Sequence, residues 1–302
     1  MSHPNNIHQT GYNLTKLAEQ HLSLRPFITL NPSGEKTIDF SDQKAVYELN
    51  RALLQVDYEL EHWSIPEPNL CPPVPSRANY IHYLADLLFE STKLEKKNSK
   101  IKGLDLGTGA NCIYPLLGTQ IYDWKFVGSE KNTTSIQSAK RLIEQNPKLV
   151  SKIKIRKQKS ENQFFRTIIN ANERFDFTMC NPPFFTSQEE AEEVNAKKSK
   201  NLGRKAAFNF GGLAHELWIE GGELTFIKNM ISESVQFQSK VLWFTCLVSK
   251  SEYLEPIEKM LSKNKRIQQH RQIDMHIGQK KTRFIAWTFQ TKRQLHEWKR
   301  KW

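Results

Sequence analysis

From about residue 76 onward, short apolar runs alternate with amphipathic stretches, and this alternation constrains the fold more than any other feature of the sequence. Short apolar runs predict buried strands, and the amphipathic stretches between them predict helices, notably over 132–146 and 252–262. The six predicted strands are 101–107, 124–130, 152–157, 175–180, 240–248 and 283–289. Strands that alternate with helices form mostly parallel sheets covered on both faces. The sequence therefore predicts an α/β protein.

The first 63 residues have a different, helical pattern. Leu14, Leu17 and Leu24 mark one stretch, and apolar residues three and four positions apart mark a second over 46–56. Ser41 and Asp42 precede the second stretch, and both are residue types that cap helix N-termini. This pattern predicts a small N-terminal helical module.

A proline-rich segment separates the two patterns. Five of the eleven residues in 65–75 are proline. Proline lacks a backbone N–H and disrupts helix interiors, so the segment predicts an extended connector. We therefore predict a helical module over 1–63, a connector over 64–76 and an α/β domain over 77–302.

Composition excludes several classes of protein. With 38% hydrophobic and 11% aromatic residues, the chain can bury a core, which argues against intrinsic disorder. No apolar run approaches the roughly 18 to 20 residues that a membrane-spanning helix needs, and the N-terminus has no apolar signal core. The four cysteines are widely spaced without a CxxC pair, which argues against a disulfide framework or a zinc ribbon. We expect a soluble intracellular protein with reduced thiols.

The net charge of +12 is unevenly distributed. Residues 263–302 hold twelve Lys or Arg against two acids, and residues 148–159 hold six Lys or Arg and no acid. Such runs are typical of polyanion-binding surfaces, but they are equally typical of solvated protein surfaces. Charge alone leaves both interpretations open.

A glycine turn follows the first predicted strand of the α/β domain. Gly107 and Gly109 come directly after Asp105 and Leu106, where a strand gives way to a helix. Glycines there let the backbone turn tightly, and the following helix presents free N–H groups to a ligand. The next strand ends at Glu130, a residue type that accepts hydrogen bonds from ribose hydroxyls. A glycine turn alone is a common structural device, but together with both acids it favours nucleoside binding.

The sequence Asn181-Pro182-Pro183-Phe184 directly follows another predicted strand. Two successive prolines fix an extended backbone. Such a turn can hold the Asn181 amide oxygen and the Pro182 carbonyl where both accept hydrogen bonds from one amino group, while Phe184 stacks on the base. The alternative is a simple Asn-Pro turn that closes the strand.

Residues 186–212 interrupt the alternating pattern with a run of acids followed by a run of bases. A long polar segment inside a compact domain is typical of a mobile loop or a lid. We predict that it is a mobile substrate-gating loop. His82 and His215 have no catalytic partner in the sequence, and a lone histidine is more often structural, so neither is assigned a role.

The order DLGTG, acidic strand end, NPPF resembles the class I S-adenosylmethionine-dependent methyltransferases that modify exocyclic amines. RANYIHYLADLL, DLGTGANCIYPLLG, CNPPFF and EGGELTFIK resemble, more narrowly, one family of RNA adenosine-N6 methyltransferases. That family contains methyltransferase-like protein sixteen, which modifies U6 small nuclear RNA, and the bacterial 23S ribosomal RNA adenine-N6 enzyme. The resemblance runs from about residue 25 to 290. CIYPLLG and the doubled Phe favour the eukaryotic, fungal-type branch without the animal C-terminal extension.

The resemblance implies a Rossmann-like domain with a mostly parallel seven-stranded sheet and S-adenosylmethionine as cofactor. Arg77 would pair with the methionine carboxylate, and Glu130 would hold the ribose. Asn111 and Ser160 stand where the family has Ser and Thr, and Ser160 would contact the adenine ring of the cofactor. The implied cofactor-binding residues are Arg77, Asp105, Gly107, Gly109, Asn111, Glu130, Ser160 and Asn181, and the implied catalytic residues are Asn181, Pro182, Pro183 and Phe184.

The resulting expectation is an enzyme that methylates adenosine N6 of U6 small nuclear RNA in an ACAGA-type context. It would act as a nuclear monomer in mRNA splicing, without a metal or a membrane partner. The alternatives are 23S ribosomal RNA methylation, an inactive RNA-binding member of the fold, and methylation of a protein or small-molecule amine. The N-terminal module and one basic track would bind RNA, the track through Lys152, Lys154, Arg156, Lys159, Arg204, Arg271, Lys280, Lys281 and Arg283.

Overall fold

The computed structural model describes residues 2–67, 69, 71–160, 163–183, 219, 221–277 and 280–298. The side chains of residues 277 and 280 are not among the described parts. Phe184, Arg204, His215 and the predicted gating loop over 186–212 therefore lie outside the described residues.

The N-terminal region contains two short helices and a small hairpin. Its elements are α1 (Leu14–Gln20), β1 (Ile28–Leu30), β2 (Lys36–Ile38) and α2 (Gln43–Ala52). Asp42 caps α2, as predicted, because its side chain accepts a hydrogen bond from Lys44 N. The antiparallel β1–β2 hairpin was missed, since strands of three residues are too short to show a period.

Helix α3 (Val74–Thr92) begins inside the predicted connector, three residues before the domain start predicted at residue 77. Pro75 occupies the first turn of α3, where the missing N–H costs no hydrogen bond. The backbone N–H of Val74 donates to the Asn50 side chain at 3.1 Å, which joins α2 to the start of α3.

The α/β region is built on one seven-stranded sheet. Its strands are β3 (Lys102–Leu106), β4 (Lys125–Glu130), β5 (Ile153–Lys157), β6 (Phe175–Cys180), β7 (Val241–Leu247), β8 (Gln269–Ile277) and β9 (Lys280–Thr288). All six predicted strands are confirmed. Strand β8 was missed because its sequence QHRQIDMHI is largely polar, as suits a strand on the edge of a sheet.

The order across the sheet is β5-β4-β3-β6-β7-β9-β8. Strands β3 to β7 run parallel, and β9 is antiparallel to both of its neighbours. The prediction of a mostly parallel sheet is therefore confirmed. We call the edge where β3 to β7 end the carboxyl edge and the edge where they begin the amino edge.

Helices cover both faces of the sheet. Besides α3 they are α4 (Ile113–Tyr122), α5 (Thr133–Glu144), α6 (Pro147–Val150), α7 (Gly222–Ser234), α8 (Leu254–Lys263) and α9 (Lys292–Glu297). One core contains the buried side chains of α3, α4 and the N-terminal region, and a second contains those of α7 and α8. The N-terminal region thus shares a hydrophobic core with the sheet.

Asn79, a fully buried residue of α3, joins three parts of the chain. Its Oδ1 accepts hydrogen bonds from His3 N at 3.2 Å and from Asn6 Nδ2 at 2.7 Å. Its Nδ2 donates to the His276 carbonyl near the tip of the β8–β9 hairpin at 2.8 Å. A buried amide with its partners in place is expensive to disrupt, so Asn79 fixes the N-terminal segment and the hairpin relative to α3.

The β8–β9 hairpin extends past the carboxyl edge. Phe284 pairs with Leu247, the last residue of β7, while Lys280 begins β9 four residues earlier. At about 3.3 Å per residue, the hairpin tip lies about 13 Å beyond the end of β7. Lys281 and Arg283 are therefore on the carboxyl-edge side of the molecule.

Gly103 tests how tightly β3 packs. A Cβ atom at Gly103 would overlap the Phe177 ring and lie 2.8 Å from Cε1 of Phe126. We expect Gly103→Ala to lower the free energy of unfolding by about 1–3 kcal/mol, because both rings must move in a close-packed core. Urea denaturation measures the change. The matched control is Lys100→Ala at a nearby exposed position, and equal midpoints for the two variants would contradict this packing.

Candidate functional site

Three neighbouring strands end at the same level of the carboxyl edge. Leu106 at the end of β3 pairs with Ser129 on β4 and with Cys180 on β6. The next residues along these strands are Gly107, Glu130 and Asn181. Adjacent strands lie about 4.8 Å apart, so the register places these three predicted site residues side by side.

The glycine loop adopts a conformation that favours glycine. Gly107 has φ +69° and Gly109 has φ +65°, both in the left-handed region. A Cβ atom at Gly107 would have no atom within 4 Å, so backbone conformation and not crowding explains this glycine. Between them, Thr108 N donates to Ser129 O at 2.9 Å, which fastens the loop to the end of β4.

Glu130 is held rigidly beside this loop. Its Oε2 accepts a hydrogen bond from Gly109 N at 3.0 Å, and its Oε1 accepts from Lys131 N at 2.8 Å and Asn132 N at 2.9 Å. A carboxylate offers about four acceptor positions, and three are occupied here. Binding both hydroxyls of a ribose would therefore require at least one of these N–H groups to be released.

Arg77 lies in the first turns of α3 and contacts the start of α4. Its Nη1 donates to the Tyr114 hydroxyl at 2.8 Å, and its guanidinium carbon lies 5.5 Å from the centre of the Tyr114 ring. Burial raises the pKa of Tyr114 to about 12, so the phenol is neutral, and Arg77 has no ion pair within the described parts of the chain. The sequence did not identify Tyr114, although it lies on the helix that directly follows the glycine loop.

Asp105 is buried at the end of β3 with 1% exposure. Neither of its carboxyl oxygens has a hydrogen-bond partner among the described residues. Burial is the main cause that raises the pKa of Asp105 to about 7, while the nearby charge of Glu130 raises it and that of Arg77 lowers it. An unpartnered buried carboxyl is costly, so this position fits a ligand that brings a cationic or hydrogen-bond-donating group.

Asn181 presents an unpartnered acceptor at the end of β6. Its Oδ1 is buried and has no hydrogen-bond partner among the described residues. Pro182 after it is buried and Pro183 is half-buried, and neither has a backbone N–H to compete for that oxygen. The amide oxygen is therefore available to an amino group that enters beside the strand end.

Two further predicted cofactor residues occupy the surrounding loops. Asn111 Oδ1 accepts a hydrogen bond from Ile113 N at 3.1 Å at the start of α4. Ser160 lies three residues beyond Lys157, the residue of β5 that is opposite Glu130 in the strand register. The backbone N–H of Ser160 donates to Gln158 Oε1 at 3.3 Å. The roles of both residues stay predictions.

The predicted basic residues lie on both sides of the sheet. Strands β5 and β8 are the two outermost strands, so the 148–159 stretch and the hairpin cations lie at opposite sides of the sheet. Several of them are also ion-paired: Lys152 with Asp123, Arg156 with Glu173, Arg271 with Glu90 and Lys281 with Asp274. Lys154 and Lys159 are exposed without an ion pair among the described residues. Charge runs in sequence do not reveal strand order, and RNA binding by these residues stays a prediction.

A histidine base, a metal site and a membrane-spanning helix find no support within the described residues. His82 is buried, bonds to the Tyr122 hydroxyl at 2.8 Å and stacks on His3. Burial lowers the pKa of His82 to about 4. In the part of the chain that is described, no three His, Cys, Asp or Glu side chains form a potential metal site, and no helix is both long and apolar enough to cross a membrane.

The sheet and the aligned strand ends define a class I S-adenosylmethionine-dependent methyltransferase. The residues at the site fit that cofactor. Asp105 offers an unpartnered carboxyl for the methionine ammonium, Arg77 a cation for its carboxylate, and Glu130 acceptors for its ribose. The left-handed glycines leave the loop backbone open to close approach by a ligand.

Comparisons with known proteins identify the family. A family model described as RNA methyltransferase matches residues 1–291, and the chain belongs to this family. The chain is 47% identical to ribosomal RNA large subunit methyltransferase F of Escherichia coli, over 95% of this chain and 93% of the relative. It is 46% identical to the protein of the same name in Flavobacterium johnsoniae, over 98% and 96% of the two chains.

Solved structures of a human relative share the fold. The human METTL16 catalytic domain in complex with MAT2A 3′UTR hairpin 1 matches with a TM-score of 0.82 and 31% identity, over 96% of each chain. The N-terminal domain of human METTL16 in complex with S-adenosylhomocysteine matches with a TM-score of 0.77 and 28% identity, over 96% of this chain and 99% of that one. The predicted resemblance to this family is thus confirmed. The tilt towards its eukaryotic branch is not supported, since identity is higher with the bacterial relatives.

Asp105 should make stability depend on pH. Because its folded pKa is raised from 3.8 to about 7, the native state binds its proton more tightly than the unfolded chain does. Its contribution is fully present below about pH 4 and is lost as pH rises through 7. A shift of about three pKa units at about 1.4 kcal/mol each predicts that Asp105→Asn becomes more stable relative to wild type by up to about 4 kcal/mol between pH 4 and 8. Urea denaturation at several pH values measures this, and a constant difference would contradict it. The buried Asp176 remains in both proteins and cancels from the comparison.

Glu130 should contribute directly to cofactor affinity. Hydrogen bonds to a charged group are worth about 1.5–3 kcal/mol, so we expect Glu130→Gln to weaken S-adenosylhomocysteine binding about 10- to 100-fold. Isothermal titration calorimetry measures the dissociation constant. The control is Glu144→Gln at the exposed end of α5, which should bind as wild type does. Unchanged affinity in Glu130→Gln would remove Glu130 from the cofactor site.

Proposed function

We propose that this RNA methyltransferase transfers a methyl group from S-adenosylmethionine to N6 of an adenosine in large-subunit ribosomal RNA. The observation that carries the choice of an amine is the unpartnered Oδ1 of Asn181, level with the glycine loop and Glu130. The choice of ribosomal RNA is supported by 45–47% identity, over most of the chain, to bacterial proteins named for that substrate.

An acceptor pair suits the adenine N6 group because this group has two hydrogens to donate. Asn181 Oδ1 would accept one of them, and the Pro182 carbonyl would accept the other. A neutral amide oxygen can accept from an amine but cannot donate to it, so the pair favours an amino group over a carbonyl at this position. Hydrogen-bond direction thus supports an exocyclic amino group, and the choice of adenine among the bases that carry one rests on the resemblance to the adenosine-N6 methyltransferases.

The residues of the chain would act mainly by aligning the N6 amine of the target with the methyl group of the cofactor. The cofactor supplies an electrophilic methyl group on a sulfonium. The N6 lone pair of adenine is delocalised into the ring, so the amine is a poor nucleophile until its geometry changes. Hydrogen bonds from both N6 hydrogens would orient that lone pair towards the methyl carbon and favour the pyramidal nitrogen of the transition state. In the transfer, N6 would form a bond to the methyl carbon while the bond from that carbon to the cofactor sulfur breaks. The sulfur would keep the bonding electron pair as a neutral thioether, and the proton that N6 loses would pass to water.

The target adenosine must leave any base stack to reach Asn181, which favours looped or single-stranded RNA. The β8–β9 hairpin projects past the same edge of the sheet with Lys281 and Arg283 near its tip. These cations would hold phosphates near the target without reading the sequence. Lys281 would exchange its ion pair with Asp274, an exposed interaction of small energy, for a phosphate.

U6 small nuclear RNA, the substrate expected from the sequence, is replaced in this proposal. Its support came from short motif similarities to the eukaryotic branch. Identity to structures of human METTL16 is 26–31%, compared with 45–47% for the bacterial relatives. A nuclear location and a role in splicing depended on U6 and are not part of the proposal.

The proposal is tested with labelled S-adenosylmethionine and two unmodified transcripts, large-subunit ribosomal RNA and U6 RNA. We expect label at one adenosine of the ribosomal transcript, recovered as N6-methyladenosine by mass spectrometry, and none in U6. Label in U6 alone would contradict the choice of substrate. Cofactor binding without transfer to either RNA would instead indicate an inactive RNA-binding member of the family.

Asn181→Ala separates transfer from binding in the same assay. Loss of one preorganised hydrogen-bonding group at a reacting centre costs about 100- to 1,000-fold in rate, so we expect kcat to fall by that factor. The dissociation constant of S-adenosylhomocysteine should change by about tenfold at most, because the variant removes a single hydrogen-bonding group from the cofactor site. Asn170→Ala, at an exposed loop position, should transfer as wild type does. Undiminished transfer by Asn181→Ala would remove Asn181 from the catalytic group.

A further inference from the structure

A row of cations crosses the amino edge of the sheet, opposite the methyl-transfer site. On five adjacent strands, from β5 through β4, β3 and β6 to β7, the first residue or the one directly before it is Lys or Arg. We call this set the amino-edge row: Lys152, Lys125, Lys102, Arg174 and Lys240. Four steps of about 4.8 Å between strands give the row a length of about 19 Å.

Strand register keeps the row continuous. Lys102 pairs directly with Lys125 across β3 and β4, and Phe126 N donates to Lys152 O at 2.8 Å at the start of β5. On the other side, Phe175 N donates to Lys240 O at 2.8 Å, which sets Arg174 beside Lys240. The row therefore follows from the pairing of the sheet.

The acids near the row do not neutralise it. Lys152 forms an ion pair with Asp123. Lys102 forms an ion pair with Glu173 at 2.8 Å, and the same Glu173 carboxylate also forms an ion pair with Arg156. Lys125 and Arg174 are exposed and have no ion pair among the described residues.

A third acid, Asp176, lies beneath the row and is fully buried. Its oxygens accept hydrogen bonds from Lys102 N and from the Trp298 indole. Burial raises the pKa of Asp176 to about 7, so it carries at most part of a charge at neutral pH. The row thus keeps a net positive charge.

More cations lie beside the row and past its β7 end. Residues 93–100, which lead from α3 to β3 in the middle of the row, hold four lysines and one acid. Two of these lysines, Lys93 and Lys96, place their ammonium groups 5.4 and 5.7 Å from the centre of the exposed Phe89 ring, and Lys96 is also paired with Asp86. Past the β7 end of the row, Lys265 and Arg266 are exposed before β8.

Compensation of helix dipoles explains only part of this charge. Helices α3, α4, α5, α7 and α8 end near the amino edge, and cations near helix C-termini are favourable. That accounts for Lys93 at the end of α3 and Lys263 in the last turn of α8. The amino-edge row itself begins strands, and sheets have only small net dipoles. Like charges one strand apart repel, so the row calls for a polyanionic partner.

We propose that the amino-edge row binds phosphates of the substrate RNA at a region distant from the target adenosine. This rests on the proposed function, because it requires a large structured RNA. From Lys125 to Glu130 there are five residue steps, about 16 Å, and the two edges face opposite ways. A short RNA held at Asn181 cannot also cover the amino edge, whereas a long folded RNA can contact both.

The test compares two RNAs and two charge-matched variants. The RNAs are a full-length large-subunit ribosomal transcript and a short oligoadenylate. The row variant is Lys125→Glu/Arg174→Glu, and the control variant is Lys140→Glu/Lys259→Glu, at exposed positions on α5 and α8. Both variants change the net charge by the same amount. Dissociation constants are measured by filter binding at several salt concentrations, with thermal unfolding as a check on folding.

We expect the row variant to bind the ribosomal transcript about tenfold or more weakly, with a salt slope smaller by about 2, one unit for each phosphate that the variant no longer neutralises. Its affinity for oligoadenylate and the affinities of the control variant should match wild type. The milder Lys125→Gln/Arg174→Gln variant should also weaken binding of the transcript, by a smaller factor. Because it introduces no negative charge, this variant keeps the test valid if the Glu substitutions impair folding.

Equal weakening by the row and control variants, equal weakening for both RNAs, or wild-type binding of the transcript would each overturn the proposal. Failure of the proposed function is distinguishable, since wild-type protein would then transfer no methyl group to the ribosomal transcript. The binding comparison between the variants does not depend on transfer.

Discussion

The pairing of β3 with both β4 and β6 is the constraint on which the site depends. Leu106 pairs with Ser129 on one side and Cys180 on the other, and this register brings Gly107, Glu130 and Asn181 to one level. A slip of one residue would move every side chain of a strand to the opposite face. Gly103, which has no room for a Cβ atom beside Phe177, helps to lock β3 in this register.

The same edge carries polar groups whose burial costs stability. Asp105 and Asn181 each keep buried oxygens without partners among the described residues, while the Glu130 carboxylate is almost fully satisfied. Unsatisfied buried groups cost about 1–3 kcal/mol each, and such costs are typical of functional sites. Burial of the hydrophobic cores on both faces of the sheet offsets this cost. A ligand that supplies hydrogen-bond partners to these oxygens removes the cost and thereby binds more tightly.

Much of the fold and the site could be predicted from the sequence. Apolar runs revealed every strand buried on both faces, and the glycine turn, Glu130 and Asn181 were recognisable because each directly follows such a strand. The polar edge strand β8 and the short N-terminal hairpin lack this signal. Tyr114, the partner of Arg77, becomes visible only through contacts between α3 and α4. Strand order is likewise absent from the sequence, so the positions of the two basic stretches on the opposite outer strands could not be predicted.

The central claim is that the three aligned strand ends form one site for cofactor and target. A crystal structure of the protein with S-adenosylhomocysteine tests it most directly. The account predicts ribose hydroxyls within hydrogen-bonding distance of Glu130, the amino-acid end between Asp105 and Arg77, and the sulfur facing Asn181. A ligand bound with its ribose away from Glu130, or with its sulfur turned away from Asn181, would contradict it.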